Sequence, residues 1–594
     1  MRYQLKNDSP TPLGRLPASA LRAALRAGYG GRELRGDIMA GIIVGVVALP
    51  LGMALAIAVG APPQHGLYTV IVGGFLVALL GGSPTQVTGP TAAFIVILAP
   101  IYVKFGLAGL LCSGVLGGLI LIGMGLARLG KLIQFIPHPV TTGFTAGIAV
   151  VIATLQIKDL LGLTLASSPD HYADRVLAMF AARGTASGWE LGVGLGTLAV
   201  LVFLPRYTKR VPAPIVALPL AALAGLAIHK LSPGTELATI ASRFQTTING
   251  EVVRGIPQLP PLPMLPWDAA GPSGQPFVLS FGMIRELIPG AFALAMLGAI
   301  ESLLSAVVAD GMAQTKHDPD AELLALGVGN IVVPFFGGIP ATGAIARTAT
   351  NIRSGGKSPV ASMVHALAVL AAVLVMAPII GYLPMTSLAA LLLLVAWNMS
   401  EAKHFVHTLK VAPKSDVMVL LTCFGLTVAI DMVVAVTAGI LLAALLFMRR
   451  MAEVTETTIS SGESILPGVH APKDVLVYDI SGPLFFGAAQ RAMAALGVVT
   501  ADMRVVILRL DHVPAMDATG LVALESSIEQ LRRNGCFAII TGLQTQPRAV
   551  VTKAHVGDAP GVAIRDDLGA AVALAETKLS PSSTKTPTPA FLSS

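Results

Sequence analysis

The chain has 594 residues, of which 54% are hydrophobic and only 12% charged, about half the charged fraction of an ordinary soluble domain. Its three scattered cysteines, Cys112, Cys423 and Cys536, form no CxxC pair, which argues against a disulfide framework and a metal site. The net charge of +7 would suit nucleic acid, but the placement of the basic residues answers to a membrane instead, and no nucleic-acid partner is expected.

Residues 1–36 are expected to be a cytoplasmic N-terminal segment; no uncharged apolar core precedes Asp37, so it does not read as a signal peptide. From Asp37 to Met448, apolar runs of about 20 residues recur, the length that spans ~30 Å of hydrocarbon. Fourteen spans are expected, near 37–59, 66–82, 88–103, 105–127, 137–157, 187–204, 212–230, 281–309, 321–337, 343–354, 359–378, 384–398, 416–430 and 432–448. Together, 37–450 make an all-α polytopic transport domain. Basic residues cluster after the even-numbered spans: Arg128 and Lys131; Arg206, Lys209 and Arg210; Lys316; Arg353 and Lys357; Lys403, Lys410 and Lys414; Arg449 and Arg450. The N-terminal segment adds Arg15, Arg22, Arg26, Arg32 and Arg35, while the connections after the first, ninth, eleventh and thirteenth spans carry no Lys or Arg. By the positive-inside rule both termini are cytoplasmic and the bilayer itself is a partner.

An internal repeat bears on mechanism. Leu79-Leu80-Gly81-Gly82-Ser83-Pro84, followed by Thr88-Gly89, has a second copy in Phe335-Phe336-Gly337-Gly338-Ile339-Pro340, followed by Thr342-Gly343. The copies fall at the third and tenth spans. Seven spans of separation is an odd number, so the second copy crosses in the opposite direction, the pattern of an inverted-topology repeat. Each copy leads into a helix too short to cross alone, Thr88 to Pro100 and Thr342 to Asn351. Irregular backbone at membrane depth survives only where it lines protein or a water-filled cavity. Two half-helices starting at the midplane aim their N-terminal amides, the positive dipole ends, at one point, which suits an anion. Thr88, Thr91 and Thr342 stand there, with Gly89 and Gly343 permitting close approach. Arg347, about one turn on, adds a full positive charge; the alternative is a snorkelling or paired structural arginine.

Glu301 sits mid-span within Gly298–Ser305. An ionisable group at that depth is costly and is by default a functional candidate, here for proton binding and release; the alternative is a structural ion pair with Arg347. Asp310 and Asp431 lie near span ends and read as interfacial. The long connection from Leu231 to Ser280 is external on this topology, and its Pro-rich stretch 255–263 reads as an extended cap. Trp267 and Trp397 read as interfacial anchors.

After Arg450 the charge rises. Residues 451–473 read as a linker and 474–578 as a small α/β domain, with strands at 474–480, 504–510 and 536–541. Leu521 to Asn534 reads as an amphipathic helix stopped by Gly535. The Ser/Thr/Pro-rich tail, 579–594, reads as disordered.

Several local motifs together resemble one family. They are Asp37-xx-Ala40-Gly41, Ala48-Leu49-Pro50-Leu51-Gly52-Met53-Ala54, Pro62-Pro63-xx-Gly66-Leu67-Tyr68, Thr88-Gly89-Pro90 and the run Asn330 through Arg347. The C-terminal part adds Pro483-Leu484-Phe485-Phe486 and Met516-Asp517-Ala518-Thr519-Gly520-Leu521. Over roughly 30–578 the chain resembles the SulP-type permeases, the sulfate-permease and prestin/pendrin group, with a C-terminal STAS domain. Leu297–Leu304, Thr315-Lys316-His317, Ala344-Ile345-Ala346-Arg347, Val395–Ala402 and Leu446–Arg450 resemble most a bacterial C4-dicarboxylate carrier of that family. The resemblance implies two inverted seven-span repeats folded as core and gate (scaffold) domains, a homodimer, elevator-like alternating access and an anion site between the third and tenth spans. Carried onto this chain, the substrate site is Thr88, Gly89, Thr91, Ala92, Thr342, Gly343, Ala344, Ile345 and Arg347, with Leu51 and Leu55 on the first span. Glu301 and Ser305 form the coupling-ion site, and Asp517 and Thr519 the STAS loop.

The chain departs from the family pattern in three places. Leu51 replaces a glutamine common in the first span, removing a polar contact to the anion. Glu301 and Ser305 stand where sodium-coupled bicarbonate relatives carry aspartate and threonine, which favours protons over sodium. Ala518 occupies the position of the phosphorylated serine of related anti-sigma antagonists, with Thr519 beside it. The expected function is proton-coupled uptake of C4-dicarboxylates such as succinate or fumarate across a bacterial cytoplasmic (inner) membrane. The alternatives are sulfate or bicarbonate transport, with sodium as a further coupling ion, and a membrane-anchored sensor signalling to a cytoplasmic protein partner through STAS. Truncation beyond about residue 465 separates the last, since a transporter would keep working. No nucleophile–base pair and no Gly-rich phosphate loop with its lysine is present, so neither an enzyme nor a cofactor is expected.

Overall fold

The structure, a computed structural model, describes residues 17–131, 136–165, 172–208, 211–232, 236–248, 251–461, 472, 474–494, 496 and 503–580. Arg15, Lys209 and Arg210 of the expected orientation signal, most of the second half of the expected linker and the tail beyond 580 lie outside the described residues. The chain divides into two compact units, Met1–Ile440 and Leu441–Ser594.

The first unit opens with α1 (Ser19–Arg26), α2 (Gly31–Val59), α3 (Pro63–Tyr68) and α4 (Gly74–Leu80), the last two joined into one span by a single π-helical turn. A two-residue strand β1 (Thr88–Gly89) precedes α5 (Ile95–Leu126), followed by α6 (His138–Leu160), α7 (Tyr172–Ala181), α8 (Gly188–Tyr207) and α9 (Ala213–Leu231). The long connection, of which only the stretch 255–263 is expected to be an extended cap, also holds the short α10 (Ile240–Arg243) and a hairpin, β2 (Gln245–Ile248) with β3 (Glu251–Arg254). Then come α11 (Phe281–Ala313), α12 (Pro319–Val332), β4 (Thr342–Gly343), α13 (Ile345–Arg353) and α14 (Pro359–Ile380). The remaining helices are α15 (Met385–Met399), α16 (Ala402–Val411), α17 (Lys414–Ala429) and α18 (Met432–Val454).

Among the described residues, eleven helices are long and apolar enough to cross a membrane, fewer than the fourteen expected. The difference has three sources. The expected third and fourth spans run together in the 32-residue α5, broken at Gly106 with φ 68° and ψ −168°. The tenth is the nine-residue α13, whose rise of about 14 Å is under half the hydrocarbon thickness. The thirteenth, α17, has 16 residues.

The helices of this unit pack in two groups. One comprises α2 to α5 with α11 to α14, the other α6, α8, α9, α15 and α17; α2 meets α15 and α9, and α5 meets α6, where the groups join. With lipid outside, helices gain little from hydrophobicity and associate through close packing of small residues. The α5–α12 crossing shows it: a Cβ on Gly118 would lie 2.7 Å from the carbonyl oxygen of Gly327, and one on Gly327 2.8 Å from that of Gly118. Of the two expected anchors, Trp267 packs edge-on against Phe335 at 6.1 Å while Trp397 is exposed.

The second unit carries a five-stranded sheet of β5 (Glu456–Ser461), β6 (Val475–Ser481), β7 (Val505–His512), β8 (Phe537–Thr541) and β9 (Val562–Arg565), in that spatial order. All neighbours are parallel except β5, which runs antiparallel to β6. The helices are α19 (Phe486–Ala494), α20 (Ala518–Arg533), α21 (Thr545–Lys553) and α22 (Leu568–Leu579). The alternating pleat sends Leu476, Tyr478 and Ile480 to one face, under α19 to α21, and Val475 and Val477 to the other, under α22. Burial on both faces is why these strands read as continuous apolar runs. The linker expectation needs correction: its β-branched stretch Thr457-Thr458-Ile459 lies in the edge strand β5.

Gly106 tests the break in α5. Its backbone conformation is open essentially to glycine alone, and a Cβ would stand 2.3 Å from the carbonyl carbon of Gly271. Gly106→Ala is expected to cost about 2 kcal/mol or more, seen as a lower thermal-unfolding midpoint of the detergent-solubilised protein; an unchanged midpoint would contradict the reading.

Candidate functional site

The two repeat copies meet in space. In the first, α4 ends at Gly81 and the chain runs irregularly to β1; in the second, a 3-10 turn ends at Gly337, with φ 71°, and the chain runs on to β4. Strands β1 and β4 pair antiparallel, Thr88 opposite Gly343 and Gly89 opposite Thr342. An inverted repeat whose halves touch at equivalent residues produces this pairing. Neighbouring bonds fix the crossing: Ala344 N–H donates to the carbonyl of Val87 at 2.9 Å, and Val87 N–H to Thr348 Oγ1 at 3.0 Å. Thr342 Oγ1 donates to the carbonyl of Gly298 on α11 at 2.9 Å.

A helix N-terminus follows each strand. Helix α13 starts from Ala344 with no side-chain cap, which leaves its first amide groups available to an acceptor; α5 also lacks a side-chain cap after Phe94, but its Ile95 and Ile97 N–H groups donate to the carbonyls of Ala92 and Phe94. The break at Gly106 limits the first stretch of α5 to residues 95–105, which makes it a half-helix like α13. Arg347 lies in the first turn of α13 and is only 2% exposed. Its Nη2 donates to the carbonyl of Pro90, while Nε and Nη1 make no hydrogen bond within the protein. A Cβ on Gly89 would stand 2.5 Å from Nη1. The guanidinium therefore rests directly against the β1 backbone, with two buried nitrogens left without a partner within the protein.

Glu301 is half-buried and its Oε2 accepts from Thr91 Oγ1 at 2.8 Å. No direct ion pair joins Glu301 and Arg347: Glu301 is held by Thr91 and Arg347 by Pro90. The alternative of a structural pair is therefore not realised. Ser305, fully buried one turn beyond Glu301, donates to Thr348 Oγ1 at 3.3 Å and so ties α11 to α13. Ala92 is buried and Ala344 half-buried, whereas Ile345 is exposed. Leu51 lies on the other side of α2's environment, packed against Leu201, Ala213, Ala217 and Leu391 of the second helix group. Leu55 is buried on the same helix. In the second unit, Asp517 caps α20 by accepting from Gly520 N–H at 2.7 Å and also accepts Phe486 N–H at 3.3 Å; Thr519 is half-buried in the first turn.

Sequence reasoning missed Glu322 and Gln86. Glu322 is 1% exposed on α12, and its Oε2 accepts from the amides of Gly82 (2.9 Å) and Ser83 (3.1 Å). Gln86 Nε2 donates to Glu322 Oε1 and to Ser302 Oγ, both at 2.7 Å. The argument that singled out Glu301, a carboxylate inside an apolar span, applies equally to Glu322; its place near a span's start concealed it.

Comparisons with known proteins show which families the two units resemble. The Sulfate permease family matches residues 34–423, and the STAS domain matches residues 467–571. YvdB of Bacillus subtilis, whose name assigns it provisionally to sulfate transport, is 38% identical over 89% of this chain and 94% of its own. The bicarbonate transporter BicA of Picosynechococcus is 29% identical over 88% of this chain and 91% of its own. Among solved structures, the transmembrane domain of a cyanobacterial BicA superposes with a TM-score of 0.58 at 27% identity, covering 68% of this chain and 98% of that one. Murine Slc26a9, an anion transporter in the inward-facing state, gives 0.79 at 18% identity, covering 97% of each chain, a likeness of fold.

Gly89→Ala probes the contact between strand and guanidinium. The added methyl must displace Arg347 Nη1 from its present place, and anion affinity is expected to fall about tenfold or more with little change in thermal stability. Equilibrium binding of radiolabelled sulfate to the purified variant measures it; wild-type affinity would contradict the assignment.

Proposed function

The chain belongs to the sulfate permease family, and from its site we propose that it is a secondary active transporter carrying a divalent oxyanion together with a proton. The observation that carries this reading is the buried Arg347, with Nε and Nη1 open beside the β1–β4 crossing. A guanidinium presents parallel donors that match an oxyanion's edge. Two half-helix N-termini add about half a charge each. With Glu301 ionised, the formal charge at the site is roughly +1; with Glu301 protonated it is roughly +2. A dianion and a proton then complete one another's binding, which is the linkage a symporter needs. The same count makes a monoanion the better fit when Glu301 is charged.

Two dianion classes are in play, each with its own support. The names of near-full-length relatives, YvdB among them, favour sulfate. The runs Leu297–Leu304 and Ala344–Arg347 favour a C4-dicarboxylate such as succinate or fumarate. Bicarbonate with sodium is the second reading, favoured by the likeness to BicA; Glu301 and Ser305 in place of aspartate and threonine weigh against it. In this proposal the α2–α5/α11–α14 group moves as the core against the second group as the gate, in a homodimer of the cytoplasmic membrane with both termini inside. STAS acts as a regulatory module towards a cytoplasmic protein.

Uptake into proteoliposomes tests the reading. Radiolabelled sulfate and succinate are each supplied under an inward proton or sodium gradient, with bicarbonate as competitor. Proton-driven uptake of either dianion is expected. Glu301→Gln, which cannot release a proton, is expected to retain exchange of bound anion but lose acceleration by a pH gradient. Unchanged proton coupling in that variant would remove Glu301 from the mechanism, and sodium-driven bicarbonate uptake would favour the second reading.

A further inference from the structure

Behind the strand crossing lies a second polar assembly, built on a carboxylate that makes no contact with the proposed anion position. Glu322 is buried to 1% exposure, and its two oxygens face different partners. One takes the amide hydrogens of Gly82 and Ser83, in the irregular stretch that leads to β1. The other takes a hydrogen from Gln86 Nε2. The second Gln86 hydrogen goes to Ser302 Oγ, the residue after Glu301. Both hydrogens of that nitrogen are thus used, which fixes the orientation of the amide. The amide also abuts the strand pair: a Cβ on Gly343 would stand 2.5 Å from Gln86 Nε2 and 3.0 Å from Ser302 Cα.

We propose that Glu322 and Gln86 are positioning residues of the anion site. Through one continuous hydrogen-bond chain they set the approach to β1 and the α11 turn bearing Glu301 against each other, and the Gln86 amide packs directly on Gly343 of β4. The inference rests on the anion-site reading above and deepens it. Gln86 bridges the two halves of the repeat, because it leaves the first copy and touches Gly343 of the second. Ser302 carries the same chain to the coupling carboxylate's own helix turn. A shift of this amide would alter both the distance between the strands' amides and the direction of Glu301.

Glu322→Gln tests this with no change of volume. The variant's single side-chain oxygen is required by the Gly82 and Ser83 amides, so its NH2 must face Gln86 Nε2, donor against donor. Gln86 must then withdraw from both partners or flip, and a flip reverses its bond with Ser302 and moves Nε2 to the position where Oε1 now finds no partner. The full-length protein is reconstituted, and proton-driven uptake of sulfate and succinate is measured as KM and maximal rate. KM for the transported anion is expected to rise about tenfold with the maximal rate within about threefold of wild type, since loss of positioning loosens binding. Ser302→Ala, which removes one link and leaves Glu322 intact, is expected to raise KM about threefold and decides the matter if Glu322→Gln does not fold. Unchanged KM in folded variants, or rates that fall only in proportion to the folded protein recovered, would overturn the positioning role. Failure of the wild type to carry either anion would instead overturn the transport reading, and this proposal with it.

Discussion

A buried arginine pressed against the backbone of two crossing strands is the constraint on which the rest of this structure depends. Placing a guanidinium at membrane depth is costly, and nature confines such groups to protein interiors and water-filled paths where they do work. Here Arg347 is anchored by one bond to the carbonyl of Pro90, while its remaining donors face the β1–β4 crossing. The arrangement requires that no side chain stand between guanidinium and strand. Gly89 meets that requirement. Both strands stop after two residues, and a short helical stretch follows each: the nine-residue α13 after β4, and residues 95–105 of α5, ended by the break at Gly106, after β1.

The surrounding helices keep this irregular centre in place. Backbone without regular partners must find its hydrogen bonds elsewhere, and it finds them in side chains borrowed from neighbouring helices. Thr348 takes the amide of Val87, Glu322 those of Gly82 and Ser83, and Asn330 the amide of Ala341. The centre is thus held by side chains of α12 and α13 together. Close glycine contacts between α5 and α12 bring those helices near enough to serve. Leu51, by contrast, faces the second helix group, so an apolar seam rather than a polar contact lies where α2 passes between the groups.

Much of this was legible in the sequence, and for physical reasons. Gly-Gly-x-Pro followed by Thr-Gly is rare enough that two copies in order pointed to a repeat, and the odd span count gave its inversion. The pairing of Thr88 with Gly343 and of Gly89 with Thr342 is the spatial form of that reading. The apolar strands of the second unit were also plain, because both sheet faces are buried. The boundary read between the third and fourth spans falls beside the break at Gly106, where two helices meet end to end. Other features escaped. The hairpin β2–β3 and the edge strand β5 are short and polar, and their pairing is set by partners distant in sequence or by a turn too weak to announce itself. Gln86 and Glu322 were invisible for a different cause. Each is 236 residues from the other, and only the fold shows that their side chains meet.

The most direct test of the account is to locate the anion. Crystals grown with selenate, a divalent oxyanion with an anomalous scatterer, place it without assumption about substrate identity. The account predicts an anomalous peak between β1, β4 and the first turns of α5 and α13, within hydrogen-bond reach of Arg347 Nε or Nη1. A peak bound elsewhere, with the strand crossing unoccupied at saturating selenate, would contradict it.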